Sequence, residues 1–393
     1  MPAGRPVPRV LLLSWRDMHH PEAGGAEKYL QEISYGLAAL GHEVTVRTAM
    51  YPGAVRDELV DGVRFIRRGG KFSVFPRAML ALALGRHRSE VVVDVQNGVP
   101  FLSPLVTSRP VVNLVHHVHR EQWPVVFSPA VARFGWWLEA WVAPRVYRRS
   151  HYVAVSRSTR SELASLGVSA SGVSLVYNGT DALPDPHVSK SAHPTIVVLG
   201  RLVPQKRVEI ALEAAAALLP AHPDLEVLVV GSGYWESHLV EETRRLGLER
   251  VVRFTGHVSE QEKHRLLASS WVLAVPSLKE GWGLVVVEAG THATPTVAFL
   301  GAGGLDESVR HGKTGLLIEG GVEEFTVAIG SLLDDTRLRQ ELSDTAGIWA
   351  RQFRWAETVT RFAQVLRLAG GRASAIEDQW PEELESVELL LER

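Results

Sequence analysis

The sequence predicts an α/β protein made of two doubly wound domains, in which helices cover both faces of a mostly parallel sheet. Three observations lead to this prediction. Short runs rich in leucine and β-branched residues alternate with helical patterns, and the alternation restarts after a polar stretch near the middle of the chain. A chain of 393 residues also exceeds the size of one ordinary hydrophobic core.

The first half contains six apolar runs with the length and composition of strands. They occupy residues 9–14, 43–48, 91–95, 111–115, 152–155 and 173–177. The helical patterns between them include residues 26–40, which stop at Gly41. Because strands that alternate with helices form parallel sheets, residues 1–185 are predicted to be a first domain.

A polar stretch at residues 182–194 contains three prolines and has the composition of a linker. Beyond it the strand pattern returns at residues 195–199, 226–230, 251–254, 272–275, 296–299 and 315–318. Residues 186–352 are therefore predicted to be a second domain of the same class. A helix at residues 353–370 and an acidic tail at 371–393 follow, and the tail is predicted to be either an amphipathic helix or unstructured.

Composition excludes several classes of function. Without cysteine the chain has no disulfide, no thiolate nucleophile and no cysteine-ligated zinc, which fits a cytoplasmic protein. No run approaches the roughly 18 apolar residues that a membrane-spanning helix needs. The net charge is −2, and no module interleaves aromatic and basic residues as nucleic-acid binders do, so nucleic acid is not expected as a partner.

The most informative motif contains two carboxylates, Glu280 and Glu288. It follows the predicted strand 272–275 and runs through a glycine-rich turn into a helix. A strand, turn and helix in this order aim free backbone N–H groups at a ligand above the sheet. Glu280 in the turn and Glu288 about two helical turns later could then contact two parts of one ligand. The alternative is a solvated turn residue and an ordinary helical glutamate.

Phosphate chemistry is suggested by cations and glycines that follow other strands. Arg201 and Lys206 lie in the loop after the strand 195–199, where an arginine fork and a mobile lysine suit a diphosphate without a metal. Gly24 and Gly25 precede the first long helix, whose N-terminus favours an anion. The alternatives are two solvated loop cations and a flexible loop.

Seven short motifs occur in an order that resembles the retaining glycosyltransferases of the GT-B fold, family 4 type, over nearly the whole chain. They lie at residues 24–27 (Gly-Gly-Ala-Glu), 156–160 (Ser-Arg-Ser-Thr-Arg), 178–181 (Asn-Gly-Thr-Asp), 200–206 (Gly-Arg-Leu-Val-Pro-Gln-Lys), 231–233 (Gly-Ser-Gly), 280–288 (a glutamate at each end) and 312–317 (Gly-Lys-Thr-Gly-Leu-Leu). The resemblance implies two Rossmann-like domains that face each other across a cleft, and a last helix that crosses back to the first domain.

The resemblance also implies roles for single residues of the second domain. Glu288 would accept hydrogen bonds from the ribose of a nucleotide, and Glu280 would lie near the donor hexose. Arg201 and Lys206 would stabilise the departing diphosphate. Backbone groups would complete the donor site at Val258, Trp282, Gly283 and Leu284. Trp282 stands where the family usually has phenylalanine, and its indole N–H could meet a sugar hydroxyl.

In the first domain, Gly24 and Gly25 would serve the diphosphate and the acceptor, and a histidine would approach the donor hexose. That histidine is His116, or His117 if the register is shifted by one residue. A metal site at His116, His117 and His119 is not expected, because strand alternation points His116 away from the other two. No metal and no cofactor are expected.

The expected activity is transfer of a hexose from a nucleoside diphosphate sugar to the hydroxyl of a glycolipid, a polysaccharide or a natural product, with an α-linked product. Two alternatives are a non-catalytic subunit that binds nucleotide sugars, and a sugar-nucleotide epimerase or a phosphorylase on the same fold. The expected location is the cytoplasm, with a peripheral position at the inner face of the membrane as an alternative.

That alternative rests on residues 64–88, which contain seven arginines and lysines, no acid and several interleaved apolar residues. An anionic acceptor site or a plain solvated surface would account for the same pattern. Trp136, Trp137 and Trp141 recur at helical spacing and are predicted to pack in the core or between the domains, with an acceptor platform as the alternative.

Overall fold

The computed structural model describes residues 7–180 and 188–371, which divide into two compact units. Unit 1 contains residues 7–178 and 355–371, and unit 2 contains residues 179–180 and 188–354. The boundary predicted at residue 185 and the acidic tail after residue 371 lie outside the described residues, as does most of the first half of the predicted linker.

Unit 1 is built on an eight-stranded sheet in the order β3-β4-β2-β1-β5-β6-β7-β8. Its strands are β1 (Val10–Leu13), β2 (Val44–Thr48), β3 (Asp57–Val60), β4 (Val63–Arg67), β5 (Val91–Gln96), β6 (Val111–Val115), β7 (His151–Ala154) and β8 (Val173–Leu175). Every residue of β1, β5 and β6 is buried, as expected of central parallel strands covered on both faces.

The sequence pattern missed the hairpin of β3 and β4, the antiparallel pair of this sheet. Its two-residue turn is Asp61-Gly62, with φ angles of 47° and 81°. Two positive φ angles at an Asp-Gly pair are typical of the tight turn that matches strand twist. Strand β3 is Asp-Glu-Leu-Val, with residues alternately exposed and half-buried, so it lacked the continuous apolar run used to find the other strands.

Helices cover both faces of this sheet. They are α1 (Gly25–Ala39), α2 (Val74–Ala83), α3 (Trp123–Val126), α4 (Pro129–Trp137), α5 (Ala143–Val146), α6 (Arg157–Ser165) and α14 (Trp355–Ala369). A π-helical turn, Leu138–Val142, joins α4 to α5. The last of these helices packs on α1, where the Tyr29 ring meets Trp355 and Phe362 at centroid distances of 6.0 and 6.4 Å.

Unit 2 contains six parallel strands in the order β11-β10-β9-β12-β13-β14. They are β9 (Thr195–Leu199), β10 (Glu226–Val230), β11 (Val252–Gly256), β12 (Val272–Val275), β13 (Thr296–Phe299) and β14 (Gly315–Ile318). The helices are α7 (Val208–Leu218), α8 (Glu236–Arg245), α9 (Glu260–Ser269), α10 (Leu284–Thr291), α11 (Leu305–Ser308), α12 (Val322–Asp334) and α13 (Thr336–Ala350). The predicted α/β class with two Rossmann-like sheets is confirmed.

Each sheet reverses its strand order next to its first strand. In unit 1 the strand β1 lies between β2 and β5, and in unit 2 the strand β9 lies between β10 and β12. The loops at the carboxyl ends of strands beside such a reversal form the usual binding crevice of an open α/β sheet. The loops after β9 and β12 contain Arg201, Lys206 and Glu280, so the topology brings three predicted site residues to one edge of unit 2.

Candidate active site

Arg201 and Lys206 lie in the loop after β9, beside the loop after β12. Lys206 ends a short 3-10 turn, Pro204–Lys206. The Leu278 N–H donates to the Gln205 carbonyl at 2.9 Å and thereby joins the two loops. Within residues 7–180 and 188–371, the Arg201 guanidinium makes no ion pair and no hydrogen bond, so its charge is available to an anion.

Glu280 is held in the same place by two side chains. Its Oε1 atom accepts hydrogen bonds from Lys206 Nζ and, at 2.7 Å, from the Ser277 hydroxyl. The side chains of Lys206 and Glu280 are 21% and 15% exposed. Partly solvated ion pairs contribute little stability. Both groups can therefore exchange this bond for a ligand at small cost.

The backbone of Glu280 is fixed by the loop after β13. Its N–H donates to the Ala302 carbonyl at 3.0 Å, and its carbonyl accepts from the Gly304 N–H at 2.9 Å. Gly303, between them, has a φ of 74°, and a Cβ at this position would lie 2.5 Å from the Glu280 carbonyl oxygen. Only glycine fits this contact. The loop after β13 thus sets the position of Glu280 through a backbone-to-backbone contact.

Arg207 also holds the loop after β12, a role that the sequence pattern did not reveal. Its guanidinium donates to the Pro276 and Ser277 carbonyls at 2.7 and 3.1 Å and lies 4.7 Å from the Phe299 ring centroid. Its own backbone has a φ of 48°, in the left-handed region. The Arg207 guanidinium therefore binds the backbone of this loop, whereas its neighbour Lys206 binds the Glu280 side chain.

Glu288 lies on α10 and forms an ion pair with Lys263 of α9. The distance from Lys263 Nζ to Glu288 Oε1 is 2.8 Å, and the two side chains are 13% and 6% exposed. Burial alone would lower the pKa of Lys263, but Glu288 and Glu260 raise it above its ordinary value. The sequence pattern did not reveal the role of Lys263, because no motif links residues of two different helices.

The predicted backbone contacts gather at the start of α10. Gly283 immediately precedes this helix and Leu284 is its first residue, while Val258 follows β11 and is partly buried. Trp282 is different. Its ring is only 2% exposed and packs on Phe353 at a centroid distance of 5.0 Å. The indole contact with a sugar hydroxyl and the backbone role of Trp282 both stay predictions.

In unit 1, Gly24 and Gly25 lie at the start of α1, after the loop that follows β1. The Gly24 N–H donates to Glu27 at 2.8 Å, and Glu27 also accepts from the buried Arg16 at 3.0 Å. Gly24 has a φ of −157°, an extended conformation that any residue adopts, so backbone strain does not require glycine there. The Arg16–Glu27 pair restrains the loop, which argues against the alternative of a flexible loop.

His116 follows β6 directly and is 5% exposed. The Thr159 hydroxyl donates to its carbonyl at 3.0 Å, and its ring meets the Tyr29 ring edge-on at 5.3 Å. Burial lowers the pKa of His116 to about 4, so the ring is neutral at pH 7. Its Nε2 atom has no hydrogen-bond partner among the described residues. Tyr29 lies on the second turn of α1, so this contact links His116 to the helix that follows Gly25.

The neighbouring histidines have other partners. His117 bonds with Gln122 at 3.1 Å, and His119 bonds with Glu139 and Asn97 at 2.9 and 3.1 Å. The choice of His116 over His117 stays a prediction. Within the described part of the chain, no group of three or more histidine, aspartate or glutamate side chains could hold a metal ion. No helix of that part has the length and hydropathy to cross a membrane.

The basic stretch 64–88 does not form one exposed surface. Arg67 is fully buried and pairs with Asp17 and Glu58, each at 2.6 Å. Arg68 bonds with Asp57 at 2.5 Å. The other five cations of the stretch, Arg64, Lys71, Arg77, Arg86 and Arg88, are exposed. Membrane contact through residues 64–88 stays a prediction, but Arg67 and Arg68 do not contribute to it, because they stabilise the β3–β4 hairpin.

Two family models match the chain side by side. Residues 23–182 match the model of Glycosyltransferase Family 4, and residues 180–349 match that of Glycosyl transferases group 1. A glycogen synthase from Mycobacterium tuberculosis is 28% identical over 91% of this chain and 94% of the relative. A GDP-mannose-dependent alpha-(1-6)-phosphatidylinositol monomannoside mannosyltransferase from Mycolicibacterium smegmatis is 29% identical over 90% of this chain and 97% of the relative.

Among solved structures, a sucrose-phosphate synthase from Thermosynechococcus elongatus superposes with a TM-score of 0.80 at 21% identity. The match covers 93% of this chain and 100% of that one, and at this identity it shows the fold alone. The two matched models lie in the order that the seven motifs predict, and each covers one of the two Rossmann-like units. The chain belongs to the glycosyltransferases of the GT-B fold, family 4 type.

Proposed function

We propose that this glycosyltransferase is a retaining, metal-independent enzyme that moves a hexose from a nucleoside diphosphate sugar to an acceptor hydroxyl and forms an α-linked product. The observation that supports this most is the meeting of Arg201, Lys206 and Glu280 at the edge of the unit 2 sheet, where the strand order reverses. A donor needs cations for its diphosphate and an acceptor of hydrogen bonds for its sugar hydroxyls, and these three residues supply both.

The proposed step breaks the bond between the sugar C1 and the diphosphate oxygen and forms a bond from C1 to the acceptor oxygen on the same face. The acceptor hydroxyl proton passes to the departing phosphate oxygen. Arg201 and Lys206 stabilise the negative charge that grows on the diphosphate. Lys206 leaves Glu280 for the phosphate, and Glu280 then accepts hydrogen bonds from the hexose. Positioning and charge stabilisation supply the rate enhancement.

Glu288 is proposed to receive the ribose hydroxyls, with Lys263 holding its carboxylate in position. Gly283, Leu284 and Val258 are proposed to supply backbone groups to the donor. In unit 1, we propose that the neutral His116 ring contacts the donor hexose and that Gly24 and Gly25 approach the diphosphate. The unpartnered Nε2 atom of His116 supports that role, because a buried polar atom without a partner is costly unless a ligand completes it.

The relatives guide the choice of substrates. The name of the mycobacterial mannosyltransferase includes GDP-mannose, an α linkage and phosphatidylinositol monomannoside, and the name of the glycogen synthase includes a polysaccharide. We propose a nucleoside diphosphate hexose as donor and a sugar-containing or lipid-linked acceptor, with no further cofactor. Because such donors are cytoplasmic metabolites, we propose a cytoplasmic enzyme.

The test begins with a panel of nucleotides in a thermal shift assay. A ligand at 100 times its Kd stabilises the folded protein by about 2.7 kcal/mol. The nucleoside diphosphate that shifts Tm most selects the base, and its sugars are then assayed for slow hydrolysis and for transfer to candidate acceptors. NMR of the product reads the anomeric configuration. A β-linked product from an α-linked donor would overturn the retaining mechanism.

The same assay separates the alternatives. A non-catalytic subunit would bind the nucleotide sugar without releasing any nucleoside diphosphate. An epimerase would change the donor sugar in the absence of an acceptor, and a phosphorylase would require inorganic phosphate and a pyridoxal phosphate lysine. The Lys206–Glu280 pair favours transfer over a binding role, because it places a mobile cation where charge would develop.

A further inference from the structure

A stripe of large apolar side chains lies on the outer face of the helical segment after β6. Phe127, Val131, Phe134, Trp137 and Trp141 recur every three or four residues, and each is between 40% and 61% exposed. The rings of Phe134, Trp137 and Trp141 stack in sequence, with centroid distances of 5.8 and 5.9 Å. Contiguous apolar surface of this kind marks an interaction site. We call these five residues the aromatic stripe.

The opposite face of the segment is buried and carries mostly small residues. Its members are Ala132, Gly135, Glu139, Ala143 and Tyr147. A Cβ at Gly135 would lie 2.4 Å from the Trp123 ring, and the Trp123 indole donates to Glu139 at 2.7 Å. Trp123 therefore holds this face against the rest of unit 1, and the segment cannot rotate to bury the aromatic stripe. The usual arrangement, in which large residues are buried and small ones are exposed, is reversed in this segment.

Positive charge surrounds the aromatic stripe. The exposed arginines of this region are Arg120, Arg133, Arg145, Arg148 and Arg149. Between residues 120 and 149 the exposed acid is Glu121, since Glu139 is buried. The Arg145 guanidinium lies 3.9 Å from the Trp141 ring centroid, at the end of the stripe. The surface is thus both apolar and cationic.

The helix α2 extends the same face. Val74 and Ala78 of α2 pack in one core with Ala143 and Tyr147, so α2 and the stripe-bearing segment cover the same side of the unit 1 sheet. On α2 itself Leu80 is 60% exposed, and Phe72, two residues before the helix, is 79% exposed. The exposed cations Lys71 and Arg77 of the 64–88 stretch lie near them in sequence. Two helical segments on one side of the sheet therefore share the same combination of exposed apolar and cationic residues.

We propose that the aromatic stripe docks this protein on an anionic membrane surface. Tryptophan and phenylalanine insert into the interfacial region of a bilayer, while arginines at the rim reach the lipid phosphates. A second copy of the chain fits less well, because a two-fold contact through the stripe would bring the arginines of both copies together. The proposal does not depend on the glycosyl transfer mechanism, since binding to lipid requires no donor.

The test measures co-sedimentation of the full-length protein with sucrose-loaded vesicles. Wild type is expected to bind vesicles of equal parts phosphatidylglycerol and phosphatidylcholine, to bind pure phosphatidylcholine weakly, and to lose binding as salt rises. Replacing the three stacked rings by serine (Phe134→Ser, Trp137→Ser, Trp141→Ser) should weaken binding at least about tenfold. The double charge reversal Arg145→Glu and Arg149→Glu should do the same.

The matched control is Tyr234→Ser with Val327→Ser in unit 2, two side chains that are 68% and 72% exposed. This control should bind vesicles as wild type does, and all variants should keep the wild-type Tm. A second readout uses lipids brominated in the acyl chains. These should quench tryptophan fluorescence in wild type, and much less in a Trp137→Phe, Trp141→Phe variant that still binds.

Three results would overturn the proposal. The first is that wild type stays in the supernatant when anionic vesicles sediment at low salt. The second is that the serine variant binds as wild type does, and the third is that the unit 2 control loses as much binding as the stripe variants. Sedimentation velocity adds a fourth outcome. A dimer that the serine variant abolishes, together with no vesicle binding, would assign the aromatic stripe to a second copy instead.

Discussion

The two units share one architecture but use their charged residues differently. In unit 1, Arg67 is fully buried and bonds to Asp17 and Glu58, both at 2.6 Å. In unit 2, Lys206 is 21% exposed, and Arg201 has no ion-pair partner among the described residues. Charges at the same kind of sheet edge are therefore locked in one unit and exchangeable in the other.

Desolvation explains what this difference achieves. A buried charge that loses its partner is very costly, so the Arg67 network holds the β3–β4 hairpin and the loop after β1 in one arrangement. Burial alone would lower the pKa of Arg67, but the hydrogen bonds that Arg67 donates to Glu58 and Asp17 raise it, so Arg67 stays charged. A partly solvated pair such as Lys206–Glu280 costs little to separate. The Arg67 network of unit 1 thus uses charge for structure, and the Lys206–Glu280 pair of unit 2 keeps charge for a ligand.

The largest expected effect concerns the buried network. Arg67→Met leaves Asp17 buried without its cation and should destabilise unit 1 by about 3–5 kcal/mol. Urea unfolding, followed by circular dichroism, measures this loss of stability as a lower urea concentration at the unfolding midpoint of unit 1. Arg64→Met is the matched control on the same strand, because Arg64 is exposed and its loss should change stability by less than about 0.5 kcal/mol. Equal effects of the two variants would contradict a structural role for Arg67.

The second effect concerns turnover. Arg201→Met removes a cation that is proposed to stabilise the departing diphosphate. It should lower kcat about 10²–10³-fold, with little change in Tm. Steady-state transfer assays measure kcat, and Arg250→Met supplies an exposed arginine control in the same unit. If Arg201→Met lowered stability and left kcat intact, the division between structural and ligand-binding charge would fail at this residue.

The third effect concerns donor affinity. Glu288→Gln should weaken binding of the nucleoside diphosphate by roughly 1.5–3 kcal/mol, because the ribose hydroxyls lose a charged acceptor. Calorimetry with the ordinary and the 2′-deoxy nucleotide measures whether the loss depends on the ribose. Glu260→Gln is the control, since Glu260 also pairs with Lys263 but its side chain is 55% exposed. Equal affinities of wild type and Glu288→Gln would refute the ribose assignment.

A smaller effect should follow from removing the partner of Glu288. Lys263→Met leaves this buried carboxylate without its cation and should weaken nucleotide binding about tenfold, or roughly 1.4 kcal/mol. Lys263→Arg should largely restore the affinity, because it returns a cation to this carboxylate. Calorimetry with the nucleoside diphosphate measures both variants, and an affinity of Lys263→Met equal to that of wild type would argue against a role of this pair in nucleotide binding.

The smallest expected effect is none. Exhaustive chelation should leave the transfer rate unchanged, because Arg201, Lys206 and helix N-termini are proposed to neutralise the diphosphate. The rate is measured before and after treatment with EDTA, followed by removal of the chelate. A rate that falls and is restored by magnesium or manganese would contradict the metal-independent mechanism and would require a new account of the unit 2 charges.

Sequence patterns identified the central strands because these are buried on both faces and therefore read as continuous apolar runs. They also predicted that Arg201, Lys206 and Glu280 follow strands of one sheet, and carboxyl ends of parallel strands meet at one edge. The edge hairpin β3–β4 was missed although Asp61-Gly62 is a turn signal, because its exposed strand has no apolar run to mark it.

The sequence by itself determined the fold class, the family and the placement of Arg201, Lys206 and Glu280 after strands of one sheet. Only the tertiary structure decided which charges are free. Arg67 and Arg201 are both arginines next to strands, but one is enclosed by Asp17 and Glu58 and the other is not. The pairing of Lys263 with Glu288 likewise joins two helices that no motif connects. The burial of a charge and its choice of partner depend on contacts between residues that are distant in sequence. Periodicity describes only the pattern of apolar and polar residues along one segment, so it cannot reveal those contacts.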